Sequence, residues 1–272
     1  FEFKYHEVSE WPALAWLCIC DQESSLILVY HGSGLELRHN WFCEAVWDSE
    51  FQGGDFDKTD FVFGSGGRMR PNAIHFVSSG TTVDRLHVIT KNRRNYISNS
   101  LPCILEAADA SPDLSFRGYV DLFMSIGCGL KKLATELPLA DGLVRLVYFT
   151  NLIWDGRKLT EISKPFPRHS LRDFSDYMSL MQDSLERIGD NLRDDLRSAP
   201  YTWLGTMSRG YDSPTCVTLG KQAGLHRVLT FNESRPGVAD DGQEIARSLG
   251  VDCMVFDRLG WHGKDLIEPT FL

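Results

Sequence analysis

Apolar residues come in short runs broken by charged and turn residues over the first third of the chain. "AWLCIC" (15–20) and "SLILVYH" (25–31) are brief, β-rich stretches, and "HGSG" (31–34) supplies a turn. "WFCEAVWDSEF" (41–51) runs into the loop "QGGDFDKTD" (52–60), and "FVFGSGGRMRPN" (61–72) carries a second glycine-rich turn. "AIHFVSS" (73–79) and "RLHVIT" (85–90) predict a strand pair. The uneven spacing predicts a modest sheet or sandwich over 11–95, not a repeat array. Between 100 and 165 the pattern is mixed. "LPCILEAADA" (101–110) and "VDLFMSIGCGLKKLATEL" (120–137) predict helices, and 142–162 predicts two strands turning at Asp155-Gly156.

The pattern changes after "SKPFPRH" (163–169), whose two prolines mark a linker, so the chain divides into a β-rich domain (1–165) and a second domain (166–272). Leu171, Phe174, Met178, Met181, Leu185, Ile188, Leu192 and Leu196 recur at spacings of three and four, which predicts a long amphipathic helix ended by Pro200. Strand and helix patterns then alternate: "TWLGTM" (202–207), a helix over 214–223, "HRVLTF" (226–231), a helix near 241–249, and "CMVFD" (253–257). Gly224 and Gly250 fall just past the two helices, where a left-handed residue is favoured. Such alternation predicts a parallel sheet, and an overall α/β class beside the β-rich first domain.

Bulk properties narrow the functional classes. The formal charge of −9 argues against a nucleic-acid partner, and "KNRR" (91–94), the densest basic cluster, reads as a solvated turn. No apolar run approaches the ~20 residues that span a bilayer, so no membrane association is expected. The seven cysteines, an odd and scattered set, favour reduced thiols in a cytoplasmic protein. The chain opens on Phe1 without a closing element before Leu272, the pattern of a fragment.

The chemistry concentrates in "SRGYDS" (208–213), which joins the carboxyl end of a predicted strand to a predicted helix. Open α/β sheets bind ligands at that end. Ser213 suits an N-cap and Pro214 the first helical position, and the unpaired amides with the helix dipole favour an anion. Gly210 lets backbone approach a phosphate, and Ser208 and Ser213 offer hydroxyls. Two readings of Asp212 stand: a ligand for Mg²⁺ shared with phosphates, or a helper in capping the helix. "LGKQ" (219–222) is not a Walker A lysine, and no G-x-G-x-x-G opens the unit.

"SRGYDS" resembles the S-G-G-x-D-S signature of the PP-loop ATP pyrophosphatases, and roughly 165–257 is similar to the synthetase domain of the asparagine synthetase family. The resemblance implies an adenine nucleotide α-hydrolase-like doubly wound sheet, with a substrate oxygen adenylated by ATP and pyrophosphate released. It implies that Ser208, Arg209, Gly210, Asp212 and Ser213 cradle pyrophosphate, with Asp212 on Mg²⁺. Met207 and the segment from Phe231 to Glu233 would border the adenosine. Arg209 stands where the family has its first glycine; a guanidinium there either adds a phosphate contact or crowds the loop. The resemblance also implies that the family's later carboxylate-and-lysine region falls beyond Leu272, so these 272 residues alone would hold ATP weakly.

The first half is diffusely similar to the family's glutaminase domain, at "FCEAVWDSEF" and "NYISNSLPCIL". The family's nucleophile is an N-terminal cysteine, whereas the first cysteine here is Cys18, inside an apolar run. Glutamine hydrolysis by this chain is therefore not expected, and an amine donor, ammonia or a partner glutaminase would supply nitrogen to the small-molecule substrate. The alternative expectation is a non-catalytic nucleotide-binding or interaction module of the same fold.

Overall fold

The computed structural model describes residues 1–166, 170–199 and 201–264, and shows a mixed α/β, β-rich protein. The chain separates into two compact units, one of Phe1–Trp47 with Gln52–Pro167, the other of Asp48–Phe51 with Arg168–Leu266. That 48–51 belongs to the second unit is not foreshadowed by any residue pattern around it. Residues 167–169 of the "SKPFPRH" segment and Pro200 lie outside the described residues.

In the first unit β1 (Glu2–Glu7), β2 (Trp16–Asp21) and β3 (Leu26–His31) open the chain, followed by β4 (Glu36–Arg38), β5 (Trp41–Cys43) and β6 (Val46–Trp47). Next come β7 (Val62–Phe63), β8 (Gly66–Arg70), β9 (Ala73–Val77), β10 (Leu86–Lys91) and β11 (Arg94–Ser98). Two short helices, α1 (Leu101–Ala107) and α2 (Tyr119–Met124), precede β12 (Glu136–Leu139), β13 (Gly142–Val147), β14 (Thr150–Trp154) and β15 (Leu159–Ser163). They form a seven-stranded sheet, ordered β1-β3-β2-β11-β10-β13-β12, and a six-stranded sheet, ordered β15-β14-β9-β8-β5-β4.

Burial explains why "AWLCIC" is apolar at every position. Trp16 and Cys18 pack with Phe42, Phe76 and Trp154 of the six-stranded sheet, whereas Leu17 packs on the opposite face with Leu101 and Ile104 of α1. A sheet covered on both faces loses its polar alternation. The same sandwich corrects two sequence expectations. β9 and β10 are not a strand pair but lie in different sheets, and 142–154 is two strands, β13 and β14, also in different sheets. Phe149, at φ 59°, sits at the corner where the chain changes sheets. The expected helix over 120–137 stops at Met124, passes through short 3-10 turns interrupted by Gly129 at φ 93°, and becomes β12. Within "GSGGR" (64–68) only Gly64 and Ser65 form the turn, and Gly66 to Arg68 open β8: a Cβ at Gly66 would strike Phe42 O, so only glycine lets β8 lie this close to β5.

A buried polar network ties the six-stranded sheet together. Asp57 accepts from Arg70 Nε at 2.9 Å and lies 2.9 Å from His75 Nδ1, while its carbonyl takes a bond from Asn151 Nδ2 at 3.3 Å. Lys164 Nζ donates to Asn151 Oδ1 at 2.8 Å, and burial pushes its pKa down to about 7. Burial would raise the Asp57 pKa, but the hydrogen bonds from His75 and Arg70 outweigh it and hold it at about 2.

The second unit holds α3 (Phe174–Leu192), β16 (Gly205–Thr206), α4 (Asp212–Gln222), β17 (Arg227–Phe231), the hairpin β18 (Glu233–Arg235) and β19 (Val238–Ala239), α5 (Gln243–Leu249) and β20 (Asp252–Phe256). β17 pairs in parallel with both β16 and β20. Its inward Val228 packs with Met207, Val217, Leu225, Ala246 and Val251. Gly224 and Gly250, at φ 100° and 67°, end α4 and α5 in the left-handed region. The long helix is shorter than its periodicity. It starts after the Asp173 cap, which accepts from Asp176 N, and stops at Leu192. There Arg197 folds back, with Nε 2.7 Å from Asn191 O and its guanidinium 4.4 Å from the Phe51 ring centre. Leu196 therefore lies outside the helix, and of the apolar stripe Ile188 and Leu192 are buried while Leu171 and Phe174 are exposed.

Asp57 generates a pH signature. A carboxylate whose folded pKa is depressed from 3.8 to about 2 adds stability that is present above the unfolded value and lost as pH falls through the folded one. Asp57→Asn is expected to cost ~2 kcal/mol at pH 7 and roughly half of that at pH 3. Urea titrations at both pH values measure it; a cost that is constant with pH would remove the network from this role.

Candidate functional site

The strand-to-helix turn of the second unit is built by two serines. Met207, 3% exposed, extends the ladder beyond β16 by donating from its N–H to Leu229 O at 2.8 Å. It also packs so close to Gly242 that a Cβ there would overlap it. The chain then reverses. Ser208 N donates to Ser213 Oγ at 2.9 Å, the two hydroxyls lie 2.8 Å apart, and Gly210 N reaches Ser208 Oγ at 3.3 Å. A ring of short polar contacts thus closes residues 208–213.

This ring corrects the expected helix start. Ser213 does not cap α4, and Pro214 is not its first residue: the helix begins at Asp212, with Tyr211 in the N-cap position and no side-chain cap. The Ser213 hydroxyl is engaged by Ser208 instead. Pro214 is tolerated because the opening amides of a helix have no intrahelical acceptor to lose. Thr215 N, bonded to Tyr211 O at 3.2 Å, makes the i to i−4 bond that starts the ladder. Asp212 is exposed in the first turn, where its charge suits the helix dipole.

Asp240 and Asp241, which the sequence reading did not single out, complete the site. Arg209 N donates to Asp240 Oδ1 at 3.0 Å, and Arg209 Nε donates to Asp241 O at 3.1 Å. The Arg209 side chain is thereby turned onto the 240–241 segment. A carboxylate oxygen accepts from a loop amide, the same interaction that an anionic phosphate oxygen makes at a helix N-terminus. The signal in the sequence was "ADDGQE" ahead of a helical run, and Asp241 does accept from Gln243 N at 2.8 Å. Capping logic finds that contact; nothing local to 238–244 shows that Asp240 crosses to the loop.

The structure brings Ser208, Arg209, Gly210, Asp212 and Ser213 together at the carboxyl end of β16. Phe231 ends the adjacent β17 and is 45% exposed. Glu233 belongs to the β18–β19 hairpin, where its carboxylate accepts from Gly237 N at 3.2 Å. Among the described residues no group of three or more His, Cys, Asp or Glu is placed to hold a metal. Asp212 could contribute one ligand, with phosphate oxygens and water supplying the others. Among the described residues no cysteine is in a disulfide, and Cys18, Cys20, Cys43 and Cys103 are buried. Among the described residues no helix is long and apolar enough to cross a membrane.

No protein-family model matches the chain. A search of curated proteins returned no match.

The serine pair yields a local test. Ser213→Ala removes the acceptor of Ser208 N and is expected to destabilise the unit by ~1 kcal/mol. It should also accelerate hydrogen exchange at the Ser208 amide. Unchanged exchange there would show that the ring does not hold the turn.

Proposed function

We propose that the second unit is a PP-loop ATP-binding domain of the adenine nucleotide α-hydrolase-like, doubly wound type, and that the protein is an AMP-forming enzyme resembling asparagine synthetases. The observation that carries the reading is the Arg209 N to Asp240 Oδ1 bond at 3.0 Å, in which an amide of the 208–213 loop already donates to an anionic oxygen. The setting supports it: a parallel ladder from β16 through β17 to β20, with the loop at its carboxyl end.

In this reading the amides and hydroxyls of 208–213 bind the β- and γ-phosphates, and Asp212 holds Mg²⁺. ATP supplies an α-phosphorus that a carboxylate or carbonyl oxygen of the substrate attacks, with pyrophosphate leaving. This chain's residues orient that pyrophosphate: Ser208 and Ser213 donate hydroxyls, Gly210 admits the phosphate close to backbone, and Met207 and Phe231 flank the nucleoside. Rate then comes from alignment and from charge stabilisation on the leaving group. An amine or ammonia displaces AMP, drawn from solution or from a partner glutaminase, in a cytoplasmic setting. Asp240 must leave Arg209 N for phosphate to enter. That same contact favours the alternative reading, a nucleotide-binding or interaction module of this fold that does not turn over.

The test is pyrophosphate release on incubation with ATP, Mg²⁺, ammonia and a panel of small carboxylic acids. The enzyme reading expects release that EDTA abolishes and that Asp212→Ala lowers by at least ~100-fold. ATP binding without release supports the alternative, and release unaffected by Asp212→Ala removes that residue from the site.

A further inference from the structure

The first unit contains a cavity of about 590 Å³ that the nucleotide reading does not use. It opens between the strand ends of the seven-stranded sheet and the start of α1. A second, apolar cavity of about 270 Å³ shares Val83, Arg85 and Phe123 with it. The smaller cavity thus forms an annex of the larger one, both lined mainly by apolar side chains with a few polar groups, the general form of a small-molecule site.

Two buried groups, His87 and Arg85, face the larger cavity. His87, on β10, is 4% exposed, and neither ring nitrogen has a hydrogen-bond partner. Burial, with Arg85 nearby, pushes its pKa down to about 3, so the ring is neutral and offers one N–H. Arg85 Nε is buried and unpartnered, and its guanidinium lies 6.0 Å from the Tyr148 ring centre. Among the described residues no carboxylate lies within ion-pair distance of Arg85. Glu44 also lines the cavity but is satisfied by the protein: its Oε1 accepts from Ser65 Oγ at 2.6 Å and from Asn99 Nδ2 at 3.4 Å, the Ser65 backbone bonds the same carboxyl group, and Oε2 lies against Gly64. Burial, reinforced by Asp84, pushes its pKa up to about 8, so it is largely uncharged at neutral pH.

Two charges therefore border the cavity: Arg85, and Asp84, which is exposed at its mouth, engaged by the Ser79 side chain and electrostatically coupled to Arg85. Inside it an amine would meet the Arg85 guanidinium and the His87 N–H, whereas an oxyanion would find both complementary. Buried donors of this kind are costly unless an acceptor reaches them.

We propose that the paired cavity is a binding site for a small monocarboxylate with an apolar body. The carboxylate lies against Arg85 and His87, and the apolar part fills the annex beside Leu122, Leu137, Leu146 and Tyr148. The site is independent of the nucleotide loop and stands whether or not that reading holds.

The test is calorimetric titration of the whole chain with n-alkanoates from hexanoate to decanoate, beside octylamine and octanol. One site per chain is expected, with affinity rising about 4-fold per added methylene until the annex is full. Arg85→Met is expected to weaken octanoate at least 10-fold while leaving octanol unchanged. Should Arg85→Met fail to fold, Phe123→Glu, at a half-exposed position between the chambers, is expected to abolish the gain with chain length. Octylamine binding as tightly as octanoate, or octanoate bound equally by wild type and Arg85→Met, would overturn the proposal. So would non-saturable uptake at many sites, or an unchanged chain-length gain in Phe123→Glu.

Discussion

A buried parallel strand that must release its chain into a helix within a few residues gathers unpaired amides at one point. Those amides need acceptors. In the second unit that requirement is met by Ser213 Oγ for Ser208 and by the Asp240 carboxylate for Arg209. The proposed chemistry rests on the second contact, because an acceptor that can withdraw leaves a place where another anion fits. Ser213 is part of the same helix and cannot withdraw without opening the turn; Asp240 lies just ahead of α5 and can.

The first unit poses the opposite problem. Its two sheets pack face to face, so polar groups buried in either must be satisfied inside. Asp57, Arg70, His75, Asn151 and Lys164 achieve this in one network. His87 and Arg85 do not, and they adjoin open volume. A satisfied network reads as architecture, and an unsatisfied pair beside a cavity reads as a site. The distinction is one of hydrogen-bond completeness, not of residue type, since both sets contain an arginine and a histidine.

Much of this was legible in the residues, and the failures have physical causes. The alternation after residue 200, the short strands of the first region and the positive φ at Gly224 and Gly250 follow from periodicity and backbone sterics. "KNRR" is a turn whose Asn92 and Arg93 both take positive φ, as a tight hairpin between β10 and β11 requires. Sheet membership was not legible: β13 and β14 read as one apolar run, yet Phe149 turns the chain from one sheet to the other. Nor was the helix start, because Ser213 suits both an N-cap and a loop-closing acceptor, and only the position of Ser208 decides. Asp240 was missed for a third reason. It is 31 positions from Arg209, and no local pattern encodes a contact across that distance.

The most direct test of the central claim is a crystal structure of the protein soaked with ATP and Mn²⁺, read by anomalous scattering. The account requires phosphate density over 208–213, the Asp240 carboxylate withdrawn from Arg209 N, and a metal peak within coordination distance of Asp212. Asp240 still bonded to Arg209 N under saturating nucleotide, with phosphates bound elsewhere, would contradict it.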